Sequence, residues 1–143
     1  MFIKQLSVFV ENKPGRLSEI STILEQHKID IRALSIADTT DFGILRLIVN
    51  NPDQAEKSLK EAGFAVSLTQ VIAIGIDDKP GGLAKALNLL YNANIGVEYM
   101  YAFVSRKGEK AYVILRLEDN EKAVEMFKQN GVELLECTDI YSL

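Results

Sequence analysis

Asn12-Lys13-Pro14-Gly15-Arg16-Leu17 is the stretch that decides the fold, because Asp78-Lys79-Pro80-Gly81-Gly82-Leu83 answers it farther along the chain. The offset from Lys13 to Lys79 is 66 residues, and at that offset Leu24 meets Leu90, Ile29 meets Ile95, Ile31 meets Val97 and Leu34 meets Met100. A period this long is a complete small module, duplicated, rather than a solenoid repeat. The division falls near Gln70 and gives one module over residues 1–70 and a second over 71–143.

Working outward from the first turn, Ile3 to Val10 alternates around Leu6, Val8 and Val10, the period of a strand with one buried face. Beyond Pro14-Gly15 the stripe Leu17, Ile20, Ile23 and Leu24 predicts a helix. Ile29 to Ala37 reads as a strand, Asp38 to Phe42 as a polar turn and Gly43 to Val49 as a β-branched strand. Asn51-Pro52-Asp53-Gln54 is a helix start: asparagine caps, proline suits the first helical position, and Gln54 is placed to reach back. That helix runs through Ala55, Leu59 and Ala62 and stops at Gly63.

The second copy keeps this order. Val71 to Ile76 is a strand, and Leu83, Ala86, Leu87 and Leu90 form a helical stripe. Val97 to Val104 and Ala111 to Leu117 flank a polar turn, Ser105 to Lys110. Ala123, Val124 and Phe127 line a helix stopped by Gly131, and Val132 to Leu135 begins a last strand. The fold class that follows is α+β: two tandem ferredoxin-like βαββαβ modules, each an antiparallel sheet with both helices on one face. Between the modules, Phe64 to Ile76 contains no proline and no glycine before Gly75. The last strand of one module therefore runs almost straight into the first of the next, and a fixed mutual orientation is expected.

Composition narrows the function classes. With 143 residues, 48% of them hydrophobic, the chain can bury a core as one domain or two packed modules. Net charge is −4, and basic and acidic residues are evenly spread, 8 and 9 up to Gln70 and 8 and 11 beyond. No basic block exists to neutralise phosphates, so nucleic acid is not an expected partner. The apolar runs are too short for a bilayer, and the N-terminus lacks the plan of a signal peptide, which makes the cytoplasm the expected location. The single cysteine, Cys137, excludes an internal disulfide and reads as an ordinary thiol. Catalysis, a metal site and a cofactor are not expected. No His–Cys cluster offers metal ligands, no nucleophile has an evident base, and the Pro-Gly turns do not have the order of a phosphate loop.

The turns themselves have a chemistry. A helix N-terminus carries unpaired N–H groups and partial positive charge, which suits a carboxylate. Glycine there admits a ligand close to the backbone, and proline presets the entry dihedral. Two residues before each proline stands a short polar side chain, Asn12 or Asp78, able to accept a hydrogen bond from an ammonium group. A free α-amino acid supplies both groups. The competing reading is structural, since any tight strand-to-helix turn favours Asn, Pro and Gly.

These two motifs, each between an apolar strand and a helix, resemble the ACT domain family, and the resemblance covers both modules. It implies the fold derived above and a non-enzymatic regulatory role as an amino-acid sensor. Modules of that family often pair side by side, with ligand between the first turn of one and the second strand of its neighbour. By position the resemblance places ligand contacts on Asn12, Lys13, Pro14, Gly15, Arg16 and Leu17, and on Asp78, Pro80, Gly81, Gly82 and Leu83. The second-strand contact, often asparagine in amino-acid-binding members, falls on Asp30 and Gly96, so the two sites are expected to be unequal. The resemblance also implies a homodimer or a regulated enzyme as partner. A ligand-free interaction or dimerisation module is the alternative.

Tyr99 and Tyr101 share a face of one strand and either wall a ligand pocket or pack as interface aromatics. Arg32 and Glu98 are equivalent positions of opposite charge, which would pair if the second strands met around a pseudo-two-fold axis. His27, the sole histidine, reads as a solvated or C-capping residue.

Overall fold

The computed structural model describes residues 2–38, 41–104 and 109–141, Val104 by its backbone alone. Parts of the two expected hairpin turns, residues 39–40 and 105–108, lie outside the described residues. The elements in chain order are β1 (Ile3–Glu11), α1 (Arg16–Gln26), β2 (Ile31–Asp38), β3 (Phe42–Val49), α2 (Pro52–Glu61) and β4 (Ala65–Asp77). They continue as α3 (Gly82–Asn92), β5 (Val97–Val104), β6 (Lys110–Leu117), α4 (Asn120–Gln129), β7 (Glu133–Leu134) and α5 (Cys137–Tyr141). The chain divides into two compact units, the first centred on Lys4–Thr69 and the second on Gln70–Asp139. The uninterrupted apolar stretch of the joint becomes the single strand β4, 13 residues long. Its residues to Thr69 belong to the first unit and those from Gln70 to the second.

In the first unit the strand order is β2-β3-β1, with the opening of β4 beyond β1. The β1–β3 and β2–β3 ladders are antiparallel, with Leu6 opposite Leu47 and Leu34 opposite Leu47 from the other side. This register turns Leu6, Val8, Val10, Leu45 and Leu47 to one face, where Ile20 and Leu24 of α1 and Ala55 and Leu59 of α2 cover them. Burial of one such aliphatic side chain contributes about 1.5–3 kcal/mol. In the second unit β4 lies between β6 and β7, with β5 outside β6. There Ile72, Ile74, Val113, Leu115 and Leu117 pack against Ala86 and Leu90 of α3 and Ala123, Val124 and Phe127 of α4. Both units are therefore antiparallel sheets with their helices on one face, the tandem ferredoxin-like arrangement.

Small irregularities repeat as well. Lys28 and Asn94 both take positive φ at the ends of α1 and α3, 56° and 57°. Each following strand opens with a register shift, between Ile31 and Ala33 and between Val97 and Tyr99. Duplication has preserved the bulges along with the elements they modify.

The helix caps follow local chemistry. Asn51 Oδ1 accepts the Gln54 N–H at 3.3 Å, with Pro52 in the first turn, while the Gln54 side chain turns forward to Ser58 Oγ at 3.0 Å instead of reaching back. Asp119 caps α4 through the Lys122 N–H at 3.0 Å. His27 is exposed and its Nδ1 lies 2.9 Å from the Ile23 carbonyl, the C-terminal position foreseen for it. The last expected strand shrinks to Glu133–Leu134, and the chain turns instead into α5. Asp139 explains the turn: its carboxylate accepts the Glu136 N–H at 2.9 Å, and the fully buried Ile140 anchors the helix.

Candidate functional site

Glu11 ends β1, and Gly15, at φ 90°, sets the chain into α1. Only the left-handed region makes this entry, so glycine is required by conformation, although its missing Cβ faces open space. Lys13 N–H donates to the Glu11 carbonyl at 2.8 Å and Arg16 N–H to the Lys13 carbonyl at 3.4 Å. Asn12 N–H donates to the Asp41 carbonyl at 3.1 Å, which ties the turn to the start of β3. Gly15 gives α1 no side-chain cap. The first intrahelical bond is Glu19 N–H to the Gly15 carbonyl, 2.9 Å. The Leu17 and Ser18 N–H groups ahead of it are the first-turn donors that a helix leaves without intrahelical partners.

A cavity of about 190 Å³ opens over this turn, lined by Val10, Glu11, Asn12, Lys13, Arg16, Leu17, Ile36, Asp38 and Gly43. Its cations are already engaged: Lys13 Nζ sits 2.8 Å from the Glu11 carboxylate and Arg16 3.0 Å from that of Glu19. The Lys13 hydrogen bond and charge, with Arg16 beyond, hold the Glu11 carboxyl below the usual carboxylate range. A carboxylate entering here would meet backbone N–H groups before a free side-chain cation, and an ammonium group would find Asn12, Glu11 and Asp38.

The second turn has the same backbone and a different interior. Gly81 takes φ 92°, Asp78 N–H donates to Glu109 at 2.8 Å, and Gly82 N–H closes on Lys79 at 3.1 Å. A Cβ on Gly82 would collide with the Asp77 carbonyl oxygen, whereas Arg16 carries a whole side chain at the matching position. Asp77 pairs with Lys110 at 3.2 Å, and that hydrogen bond and charge lower its pKa. A cavity of about 160 Å³ beside this turn is bordered by Asp77, Gly82, Lys85, Lys110 and Glu133.

Not every residue singled out from the sequence joins a turn. Asn12, Lys13, Arg16 and Leu17 come together in the first cavity. Pro14 and Gly15 belong to the turn without lining the cavity, and Asp78, Pro80, Gly81 and Leu83 hold the matching positions around the second turn. Asp30 precedes β2, whose other end carries Asp38 to the cavity, so eight residues of strand, roughly 25 Å, separate Asp30 from its own turn. Its N–H donates to Asn50 Oδ1 at 2.9 Å and its carbonyl accepts from the Asn50 N–H at 3.1 Å, and Arg32 pairs with its carboxylate at 3.2 Å. Gly96 repeats the exchange with Glu118, whose carboxylate occupies the space of a Gly96 Cβ. Glycine at 96 thus has a structural cause. Glu98 pairs with Arg116 at 3.3 Å, so Arg32 and Glu98 each find a partner inside their own unit.

Tyr99 and Tyr101 lie opposite Arg116 and Ile114, on the sheet face away from the core made with α3 and α4. Phe103 on the same face meets Tyr112 at a ring separation of 5.6 Å. The helix-side face of β5 instead carries Met100 opposite Leu115. Leu17, first of the predicted helical stripe, is half exposed at 49%, and Leu83 is 36% exposed. Sequence reasoning passed over Glu11, Ile36, Asp38 and Gly43, the ends of three strands that the register brings beside the turn. Among the described residues no group of three His, Cys, Asp or Glu side chains is placed to hold a metal ion, and no helix is long and apolar enough to cross a membrane.

Comparison with known proteins matches this geometry. Protein BT0572 from Bacteroides thetaiotaomicron is 44% identical over 100% of this chain and 98% of its own, with a TM-score of 0.95. The regulatory subunit of aspartate kinase from Thermus thermophilus, in its ligand-free form, superposes with a TM-score of 0.66 at 16% identity over 88% of this chain and 91% of that one. Its counterpart from Thermus flavus gives 0.62 at 15% identity over 88% and 90%. No curated protein matches the sequence. The sequence model of the ACT domain pair matches residues 1–143, from before the first turn to beyond the last helix. With its two Pro-Gly turns 66 residues apart, each opening a helix over an antiparallel sheet, and the pair model matched along its whole length, the chain belongs to the ACT domain-pair family.

Proposed function

We propose that this pair is a non-enzymatic regulatory module that binds a free amino acid, or a close analogue, at its Pro-Gly turns, with the modules at residues 1–70 and 71–143. The observation that carries the reading is the first-turn cavity, where the uncapped start of α1 and the acceptors Glu11, Asn12 and Asp38 stand together. The ligand carboxylate accepts from the Leu17 and Ser18 N–H groups, favoured by the helix dipole. The ammonium group donates to Asn12 Oδ1 and the neighbouring carboxylates. Asp30 serves as a contact only toward the turn of another module, as side-by-side pairing in the family implies. The turn of Asp78, Pro80, Gly81, Gly82 and Leu83 is the weaker site, with Gly96 offering backbone alone. Tyr99 and Tyr101 have a packing role.

Regulation follows if ligand binds two states of the pair unequally and thereby shifts affinity for a partner, either a second copy or a regulated enzyme in the cytoplasm. A thermal-shift screen of the twenty amino acids, followed by calorimetry, tests this. A ligand at a hundred times its Kd adds about 2.7 kcal/mol of stability. Gly15→Val and Asn12→Leu should each abolish the shift while circular dichroism shows the fold intact, and retained affinity in both sinks the turn site. A flat screen favours the ligand-free interaction module, for which the half-exposed Leu34 and Ile36 on edge strand β2 speak.

A further inference from the structure

We propose that the ligand of the first unit carries a bulky apolar side chain, of the size of leucine, methionine or phenylalanine; this rests on the amino-acid reading above and narrows it. The turn cavity does not end at the turn. It shares Leu17 and Ile36 with a groove of about 310 Å³ between α1 and β2, whose remaining apolar lining includes Ile20, Leu34, Leu45 and Leu47. Leu34 and Ile36 stand two residues apart on the helix side of β2, opposite Leu47 and Leu45. Together with Leu17 they are 57%, 50% and 49% exposed, three large aliphatic side chains on one rim left half in water. Isolated apolar residues at a surface are ordinary, but a contiguous set leading out of the turn cavity marks a recognition surface.

The geometry orders the ligand. With its carboxylate at the α1 N-terminus and its ammonium beside Asn12, the side chain leaves past Leu17 and Ile36 into the groove. The groove offers a polar side chain little in return: against seven aliphatic residues its lining holds two serines, Ser18 and Ser21, and Ser21 already donates to the Ser18 carbonyl at 2.9 Å. A carboxylate or ammonium placed there would lose water without a partner. The second unit does not repeat the passage. At the same offset Ile36 becomes Ala102 and Arg16 becomes Gly82, so the branched residue that joins turn to groove is missing. One such site per chain follows.

Isothermal calorimetry on the full chain with leucine, methionine, phenylalanine, alanine, serine, aspartate and lysine tests the inference. The large apolar ligands should bind about tenfold or more tighter than alanine and serine, from the extra methylenes buried, with a stoichiometry of one per chain. Leu34→Ser, at an exposed position, should weaken leucine about fivefold and leave alanine unchanged. Alanine or serine binding within about twofold of leucine overturns the apolar pocket while the turn site stands. Failure of every amino acid overturns both. If Leu34→Ser instead dissociates a dimer in sedimentation while leucine affinity is unaltered, the groove belongs to a second copy and the inference falls.

Discussion

The two turns share a backbone and differ in what fills them. Gly15 and Gly81 adopt φ values of 90° and 92°, and the helices they start are each 11 residues long. Yet the residue after the glycine is Arg16 in one copy and Gly82 in the other, and a Gly82 Cβ would strike the Asp77 carbonyl. The partner of the strand-end carboxylate differs too. Asp77 faces Lys110 across the ladder and pairs with it, while Glu11 faces Phe42 and takes Lys13 from its own turn. Duplication fixed the shape, and the side chains facing each other across the strand ends decide what lines the cavity beside each turn.

Exchanging the residues after the two glycines should break that contrast most sharply. Gly82→Ala drives a methyl group into backbone, which cannot swing aside as a side chain can, and should cost about 2–4 kcal/mol in urea unfolding. Arg16→Gly removes a half-exposed ion pair and a better helix former, a loss of about 1 kcal/mol. Equal costs for the two would show that the second turn has the room of the first.

Gly15→Ala and Gly81→Ala provide the matching control. Neither Cβ meets an atom within 4 Å, so the whole penalty is conformational, about 1–2 kcal/mol, and should be the same in both copies. A difference above about 1 kcal/mol would mean that the turns differ in backbone strain as well as in content.

Smaller still is the effect at the strand starts. Gly96→Ala crowds the Glu118 carboxylate, the movable end of an exposed side chain, and should cost under about 1 kcal/mol. The double change with Glu118→Ala should remove that cost, since the carboxylate nearest the new Cβ is gone. If Gly96→Ala stays equally destabilising without Glu118, the glycine is needed for something other than space.

How much of this was legible beforehand depends on whether the signal is local. Alternation in Leu6, Val8 and Val10 and the helical stripe through Ile20 and Leu24 carry their own period, so sheet, helices and cores could be read directly. Asn51 and Gly63 punctuate α2 by chemistry confined to a few residues. Leu17 obeys the same helical spacing and still lies half in water, because the stripe alone does not say how far the sheet covers each of its residues. Ile36 and Asp38 reach the cavity only through the pairing of β2 with β3 and of β3 with β1, relations between residues far apart in sequence. α5 escaped because five residues with one buried side chain, Ile140, have no period to detect. Gly96 has no side chain to read, and only the position of Glu118 gives a steric reason for glycine there.

The finest distinction between the copies is electrostatic. Both strand-end carboxyls titrate below their ordinary range, Glu11 through Lys13 and then Arg16, Asp77 chiefly through Lys110. A carboxyl whose pKa is depressed on folding contributes stability above its unfolded pKa, and that contribution is lost as pH falls through the folded value. Both groups are exposed, so the contribution is small and fades with added salt. Chemical-shift titration at low ionic strength therefore reads it better than unfolding does. Lys13→Ala should raise the Glu11 midpoint and leave Asp77 where it is; Lys110→Ala should do the reverse. Arg16→Gly should raise Glu11 by a lesser amount, since Arg16 acts on it through charge alone. An unmoved Glu11 in Lys13→Ala would mean that the ion pair at 2.8 Å does not set its acidity, and the first turn would then present its lysine, rather than backbone alone, to an incoming carboxylate.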